Sequence, residues 1–347
     1  MKKIGVIEGF FGPQWNEESR NSYSKFLKKY GGEFYIYAPK EDPYLRKKWR
    51  EEWPIDYINK LKKLVDNFHQ EGILFGVGFS PFGLGETLTS EDQQELEKKL
   101  GIMNSLGIDL LGLFFDDMPV KDNLAATQVN ALNLVEKSFA NKIIFCPSYY
   151  TYDPILDRVF GNRPPHYLED IAAGASEKVA LVWTGPKVIS PEISAEHLDE
   201  VTQILKREPF IWENFFANDG PKNCKFLKLK PYSGRTKESF NKAEGFGFNL
   251  MNQAELSKLL FLASKYVADG EESDQAFSHA LKELVSTELG EFITFHKDFF
   301  CTKGLDQMSE MEKDFFINSL NSDEKMALEI KDWLQGKYTV GSECLTD

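Results

Sequence analysis

Eight short apolar runs, each followed by a segment of helical character, constrain this chain more than any other feature. They are KIGVIEG (3–9), EFYIYAPK (33–40), ILFGVGFSP (73–81), DLLGLFFDD (109–117), KIIFCPS (142–148), KVALVWTG (178–185), PFIWEN (209–214) and GFGFNLMN (245–252). Most lack the in–out alternation of a half-exposed strand, so they read as strands buried on both faces, as in a parallel sheet covered by helices. Between them lie amphipathic stretches such as 54–72, 90–107 and 194–208, with Ser90 and Ser194 as candidate N-caps and Gly72 and Gly107 as candidate C-caps. Eight strand–helix alternations predict an α/β fold, a (β/α)8 TIM barrel; a doubly wound open sheet is the alternative. From about residue 253 the pattern turns wholly helical. The expected organisation is a barrel over 1–260 followed by a C-terminal helical region over 261–347.

In such barrels the loops after the C-terminal strand ends build the active site. Here those ends carry Glu8 and Gly9, Lys40, Asp116 and Asp117, Cys146 through Tyr150, Trp183, Trp212 through Asn214 with Asn218 and Asp219 beyond, and Asn249 and Asn252. The fourth end, DLLGLFFDDMPV, is the most informative: an apolar strand stops on two adjacent carboxylates. Neighbouring strand residues face opposite ways, so Asp116 and Asp117 reach one pocket only where the strand frays into its loop. Two carboxylates this close repel, and one tends to hold a proton near neutral pH, which supplies an acid beside an electrostatic partner, as glycosidases require. A metal would want further ligands. The five histidines (His69, His166, His197, His279 and His296) fall in predicted helices or loops away from the rim, so neither metal nor cofactor is expected. Trp212 and Asn214 lie two apart on a strand and share a face; Glu213 points the other way.

Composition narrows the partners. A net charge of −13 over 347 residues argues against nucleic acid and against anionic membrane surfaces. Cys146, Cys224, Cys301 and Cys344 show no CxxC spacing, which disfavours a zinc cluster or disulfide framework and suits a reducing compartment. The first apolar run meets Glu8 too soon for a signal peptide, and no run approaches the roughly 20 apolar residues of a membrane span. A cytoplasmic location is expected, with export lacking a cleaved signal left open.

The stretches GVIEGFFGPQW, YAPKEDPYLR, FFDDM, FCPSYY, WTGPKVIS, IWENFFANDG and NLMNQAE, in this order over roughly residues 4–260, resemble glycoside hydrolase family 84, the O-GlcNAcase and bacterial β-N-acetylglucosaminidase family. The resemblance implies a retaining exo-β-N-acetylglucosaminidase in which the sugar's own 2-acetamido group attacks C1 to form an oxazoline. It implies that Asp116 holds and polarises the acetamide N–H, while Asp117 protonates the leaving oxygen and then deprotonates water. Tyr150 would bind the acetamide oxygen, and Trp212, Cys146 and Asn214 would wall the methyl pocket, although Cys146 reads equally as a small core residue. Asp219 and Asn252 would take the 4- and 6-hydroxyls, Lys40 and the Gly9 backbone the 3-hydroxyl. The implied partner is a GlcNAc-bearing glycoprotein or glycan. Two departures stand out: Glu213 where Asp is frequent, and Phe11 where Tyr is common, which removes a rim hydroxyl and would alter aglycone contacts. A barrel that binds GlcNAc without cleaving it, and a hydrolase of GlcNAc-containing glycans such as hyaluronan, are the competing expectations.

Overall fold

The computed structural model describes residues 3–84, 88–116 and 122–340. Its strands are β1 (Lys3–Glu8), β2 (Phe34–Tyr37), β3 (Leu74–Phe79), β4 (Leu110–Phe114), β5 (Lys142–Cys146), β6 (Ala180–Trp183), β7 (Phe210–Glu213) and β8 (Gly245–Phe248). All neighbours are parallel, and β8 returns to β1 with Lys3 opposite Gly245 and Val6 opposite Phe248, which closes the barrel in chain order. The open doubly wound sheet is thereby excluded. Each of the eight strands coincides with one of the eight apolar runs.

Glycines within the strands make room for rings inside the barrel. A methyl at Gly112 would overlap the Phe114 ring, and one at Gly247 would overlap Ile7. Phe34 and Phe210, from opposite sides of the β1–β8 seam, meet with ring centroids 5.8 Å apart. The barrel is therefore a packed core below and open only at its rim.

Around the sheet run α1 (Glu17–Tyr30), α2 (Ile55–Gln70), α3 (Ser90–Leu106), α4 (Leu124–Ser138), α5 (Pro154–Phe160), α6 (Tyr167–Gly174), α7 (Ala195–Leu205), α8 (Lys237–Asn241) and α9 (Ala254–Asp269). Helices α10 (Ser273–Leu284), α11 (Thr287–Thr302), α12 (Glu310–Ser319) and α13 (Lys325–Leu334) follow without further strands among the described residues. The boundary expected at 260/261 falls within α9. Ser194 caps α7 through the His197 amide, and Gly107 ends α3 in the left-handed conformation, as expected. The α3 N-cap is Thr89 rather than Ser90, because Thr89 and Asp92 form a reciprocal capping box that Ser90 could not make. Helix α2 ends at Gln70, two residues before Gly72, with Glu71 as its C-cap.

The helical region is clamped to the barrel by a buried carboxylate. Glu329 on α13 accepts the backbone N–H groups of Glu255, at 3.0 Å, and Leu256, at 2.8 Å, in the first turn of α9. Burial pushes its carboxyl up to about 8, reinforced by the charge of Glu255 and opposed by the two amides and Lys258. Tyr23 on α1 and Tyr338 beyond α13 also face it, as does Lys325, which pairs with Glu18. The folded value lies above the ordinary 4.5, so between about 4.5 and 8 the folded chain keeps a proton that the unfolded chain has released. Stability at this group therefore falls as pH rises through that window and is not regained above it. Glu329→Gln should flatten the decline: its melting temperature should drop less than the parent's between pH 5 and pH 8.5 in parallel thermal scans, and equal slopes would refute the assignment.

Candidate active site

The rim is assembled by carboxylates that serve two different purposes. At the end of β1, Glu8 is fully buried and turned away from the cavity. Arg20 grips both its oxygens, at 2.8 and 2.7 Å, and Tyr35 donates its hydroxyl. After β2, Asp42 accepts from Tyr37 at 2.7 Å, from Tyr57 at 3.1 Å and from the Tyr44 amide at 3.0 Å, which fixes the turn carrying Lys40. At the end of β7, Glu213 is held by Arg235 at 2.8 and 2.9 Å and by Tyr232 at 2.6 Å. Arg235 extends the brace to the carbonyls of Ser190, at 2.7 Å, and Pro191, at 2.9 Å, and so anchors the loop after β6. Burial pushes the phenols of Tyr35, Tyr37, Tyr57 and Tyr232 well up from their ordinary range, so they remain donors to these carboxylates. Glu213 thus faces outward, as its strand position requires.

Asp116 is arranged otherwise. It follows β4, is only 8% exposed, and forms an ion pair through Oδ2 with Lys40 Nζ. Its Oδ1 is buried without a hydrogen-bond partner among the described residues. The strand end behind it is pinned: the Phe115 N–H donates to the Cys146 carbonyl at 2.8 Å, and Ser148 Oγ donates to the Phe115 carbonyl at 2.8 Å while accepting from Gln128. Lys40 Nζ also lies 5.6 Å from the centroid of Trp212, whose indole packs edge-on against Phe114 at 4.9 Å. Gly9 sits beneath that indole. A methyl there would overlap Trp212 Cζ2 and lie 2.9 Å from Cη2, so glycine is required by close approach.

Gly9, Lys40, Asp116 and Trp212 line one cavity that opens at the barrel mouth. The structure brings together Gly9, Lys40, Asp116, Cys146, Tyr150, Trp212, Asn214 and Asp219 from the sequence expectation. Asn252 is not among the lining residues. Its Nδ2 donates to the carbonyls of Phe11, at 2.9 Å, and Pro13, at 3.2 Å, so it ties the β1 loop to the β8 loop. Asp117 lies outside the described residues. Asp219 accepts the Phe11 amide at 2.9 Å, which couples the β7 loop to the β1 loop. Phe11 lines the cavity and carries the Arg46 guanidinium 5.2 Å from its centroid.

Sequence reasoning assigned no role to Thr184, Val188, Ile189, Ala217 and Asn223, which also line the cavity, nor to Asn249, which it placed at the rim without a contact. Asn249 donates to Asn214 Oδ1 at 2.9 Å, and Asn214 in turn donates to the Val188 carbonyl at 3.0 Å. The Asn249 Oδ1 is left buried and without a partner among the described residues, on the cavity wall. Its signal was its place as the first polar residue after the last strand.

A closed barrel whose strand ends bring a lysine-paired carboxylate, an indole and amide side chains to one cavity has the architecture of a (β/α)8 glycosidase. Within that class, the chain belongs to the beta-N-acetylglucosaminidase family, whose sequence profile matches residues 4–297. It is 32% identical over 253 residues to the protein O-GlcNAcase of Mus musculus, across 70% of this chain and 27% of the mouse protein, and matches the Rattus norvegicus protein to the same extent. The chain thus corresponds to about a quarter of the length of these relatives. A mutant of the Thermobaculum terrenum O-GlcNAc hydrolase superposes with a TM-score of 0.81 at 26% identity, covering 96% of this chain and 81% of that one.

Removing Lys40 leaves a buried carboxylate uncompensated, whereas removing both charges does not. Lys40→Met should therefore cost roughly 3 kcal/mol of unfolding free energy, and Lys40→Met with Asp116→Asn should recover most of it in urea titrations. Additive losses in the double variant would rule out the pair.

Proposed function

We propose that the protein is a retaining exo-β-N-acetylglucosaminidase that removes terminal β-linked GlcNAc, with O-GlcNAc on Ser or Thr of proteins as its substrate, by substrate-assisted catalysis. The observation that carries this reading is the free Oδ1 of Asp116. It is an acceptor held rigid by Lys40 in a cavity walled by Trp212, Cys146 and Tyr150, which suits an acetamide N–H. The names of the mammalian and bacterial relatives support the substrate class.

In this mechanism the acetamide N–H donates to Asp116, whose charge offsets the positive charge that grows as the acetamide oxygen attacks C1. The C1–O bond to the aglycone breaks as Asp117 gives its proton to the leaving oxygen. Water then adds to C1 of the oxazoline, Asp117 takes back a proton, and the ring opens to GlcNAc with retained configuration. Because the nucleophile is already part of the substrate, positioning the acetamide supplies much of the acceleration. Tyr150 and Trp212 serve that positioning. Asp219, Asn249 and Lys40 hold the ring hydroxyls, and Asn252 acts one layer out by fixing the β1 loop. The barrel over 1–260 carries the chemistry, and the helical region over 261–347 braces it. Among the described residues no helix is long and apolar enough to cross a membrane, and a cytoplasmic site of action completes the proposal.

Asp117→Asn should reduce kcat by about 10²–10⁴-fold on glycosides with poor leaving groups and far less on those with acidic phenols. Asp116→Asn should slow every leaving group alike, and 2-trifluoroacetamido substrates should react much more slowly than GlcNAc glycosides. Loss of kcat independent of leaving group in Asp117→Asn, or no turnover of 4-nitrophenyl GlcNAc by the parent protein, would reject the reading in favour of a binding-only barrel.

A further inference from the structure

Three neighbouring rim loops lean on one element outside the barrel. The loop after β8 carries Asn249 into the cavity and ends in the first turn of α9, where Glu329 of α13 accepts two backbone N–H groups. One helical turn further on, Trp333 is fully buried and donates its indole N–H to the Cys224 carbonyl at 3.1 Å. Cys224 adjoins Asn223, which lines the cavity from the loop after β7. Beyond α13 the chain reaches the loop after β1. There Gly12, at φ +91°, meets Val340 so closely that a methyl would overlap its Cγ1, and Phe11 next to it lines the cavity. Two of these contacts are directional hydrogen bonds to backbone groups, and the third requires glycine.

We infer that α13 and the segment running on to Val340 are a positioning element of the sugar site, setting the spacing of the Phe11, Asp219–Asn223 and Asn249 walls. The inference deepens the proposed function and rests on it for the identity of the sugar. Helix α13, which touches the loops after β7 and β8, and the segment running on to Val340, which touches the loop after β1, together fix the relative positions of the three loops, which no one loop can do by itself. The loops are further linked to one another by the Phe11 amide on Asp219 and by Asn252 on the Phe11 carbonyl, so a shift in one is passed to the next. Displacing α13 should therefore loosen the grip on the 4- and 6-hydroxyls while leaving the chemistry at Asp116 and Asp117 in place.

The test uses the full chain with Trp333→Phe, which removes one donor and keeps the ring, and Glu329→Leu, which removes the acceptor of the two α9 amides. Loss of one such hydrogen bond corresponds to up to about tenfold in an equilibrium constant. Each variant should raise KM for an aryl GlcNAc glycoside by several-fold to about tenfold, with kcat within about twofold of the parent. On the 4,6-dideoxy analogue, which has neither contact to lose, the variants and the parent should show nearly equal KM. An equal KM penalty on both substrates, or none on either, overturns the inference while leaving the proposed function standing. Absence of turnover by the parent rejects the proposed function instead. The inference is then decided by hydrogen exchange, where amides in 217–228 and 249–256 should lose protection in Trp333→Phe while those in β3 and β4 do not; unchanged protection overturns it.

Discussion

The ion pair between Lys40 and Asp116 is the interaction on which the site depends. It joins the loop after β2 to the end of β4 across the intervening β3, and both side chains are nearly sealed from water. Burying two charges costs several kcal/mol each before their attraction is counted, so such a pair is a poor device for stability alone. Its benefit lies in what it leaves over. Lys40 occupies one oxygen of Asp116 and holds the carboxylate against rotation, and the second oxygen faces the cavity with its acceptor capacity intact. The ammonium also approaches the Trp212 ring, so the cation that orients the carboxylate helps seat the indole wall.

Comparison with the bracing carboxylates of the rim shows why Asp116 keeps an oxygen for a ligand. Arginine and tyrosine partners on the protein engage both oxygens of Glu8 and of Glu213, and Asp42 carries two phenols and an amide. Their role is mechanical: Glu8 ties β1 to α1, and Glu213 ties β7 through Arg235 to the loop that carries Val188 and Ile189. Asp116 is paired to lysine, which makes a single point contact where arginine's fork would have filled both oxygens. The choice of cation therefore separates the bracing carboxylates from Asp116.

Much of the fold was legible in the sequence because parallel strands covered on both faces must be continuously apolar, and eight such runs permit few closures. The site was legible as far as strand ends identify a rim. What remained hidden depends on partners distant in the chain. That Glu8 is engaged at both oxygens and Asp116 at one was settled by Arg20 and Lys40, which stand 12 and 76 positions away. In NLMN, both asparagines follow β8, and nothing local says which one turns inward. Asn218 fixes the Asn252 amide and Trp15 fixes the Met251 carbonyl, so that Asn252 faces the β1 loop and Asn249 the cavity. Ser90 reads as the cap of α3 by residue type, and the reciprocal bond with Asp92 gives that place to Thr89 instead. The reach of α13 to the rim had no local signature at all.

The density of contacts around the β1–β8 seam has a physical reason. Closing the barrel there brings together strands about 240 residues apart, at a loop-closure cost on the order of 5 kcal/mol. Cross-links concentrate at that joint: Trp15 donates to Met251, Asn252 to Phe11, and Tyr23 to the Ala254 carbonyl at 2.8 Å. Helix α13 and Val340 lie over the same joint, adding the last described stretch of chain to the contacts between the first strand and the eighth. The seam also carries the Phe11, Asp219 and Asn249 walls, so the interactions that complete the barrel are those that shape one end of the cavity. Closure of the fold and definition of that end are one structural event, which is why helices outside the barrel bear on a site formed at its mouth.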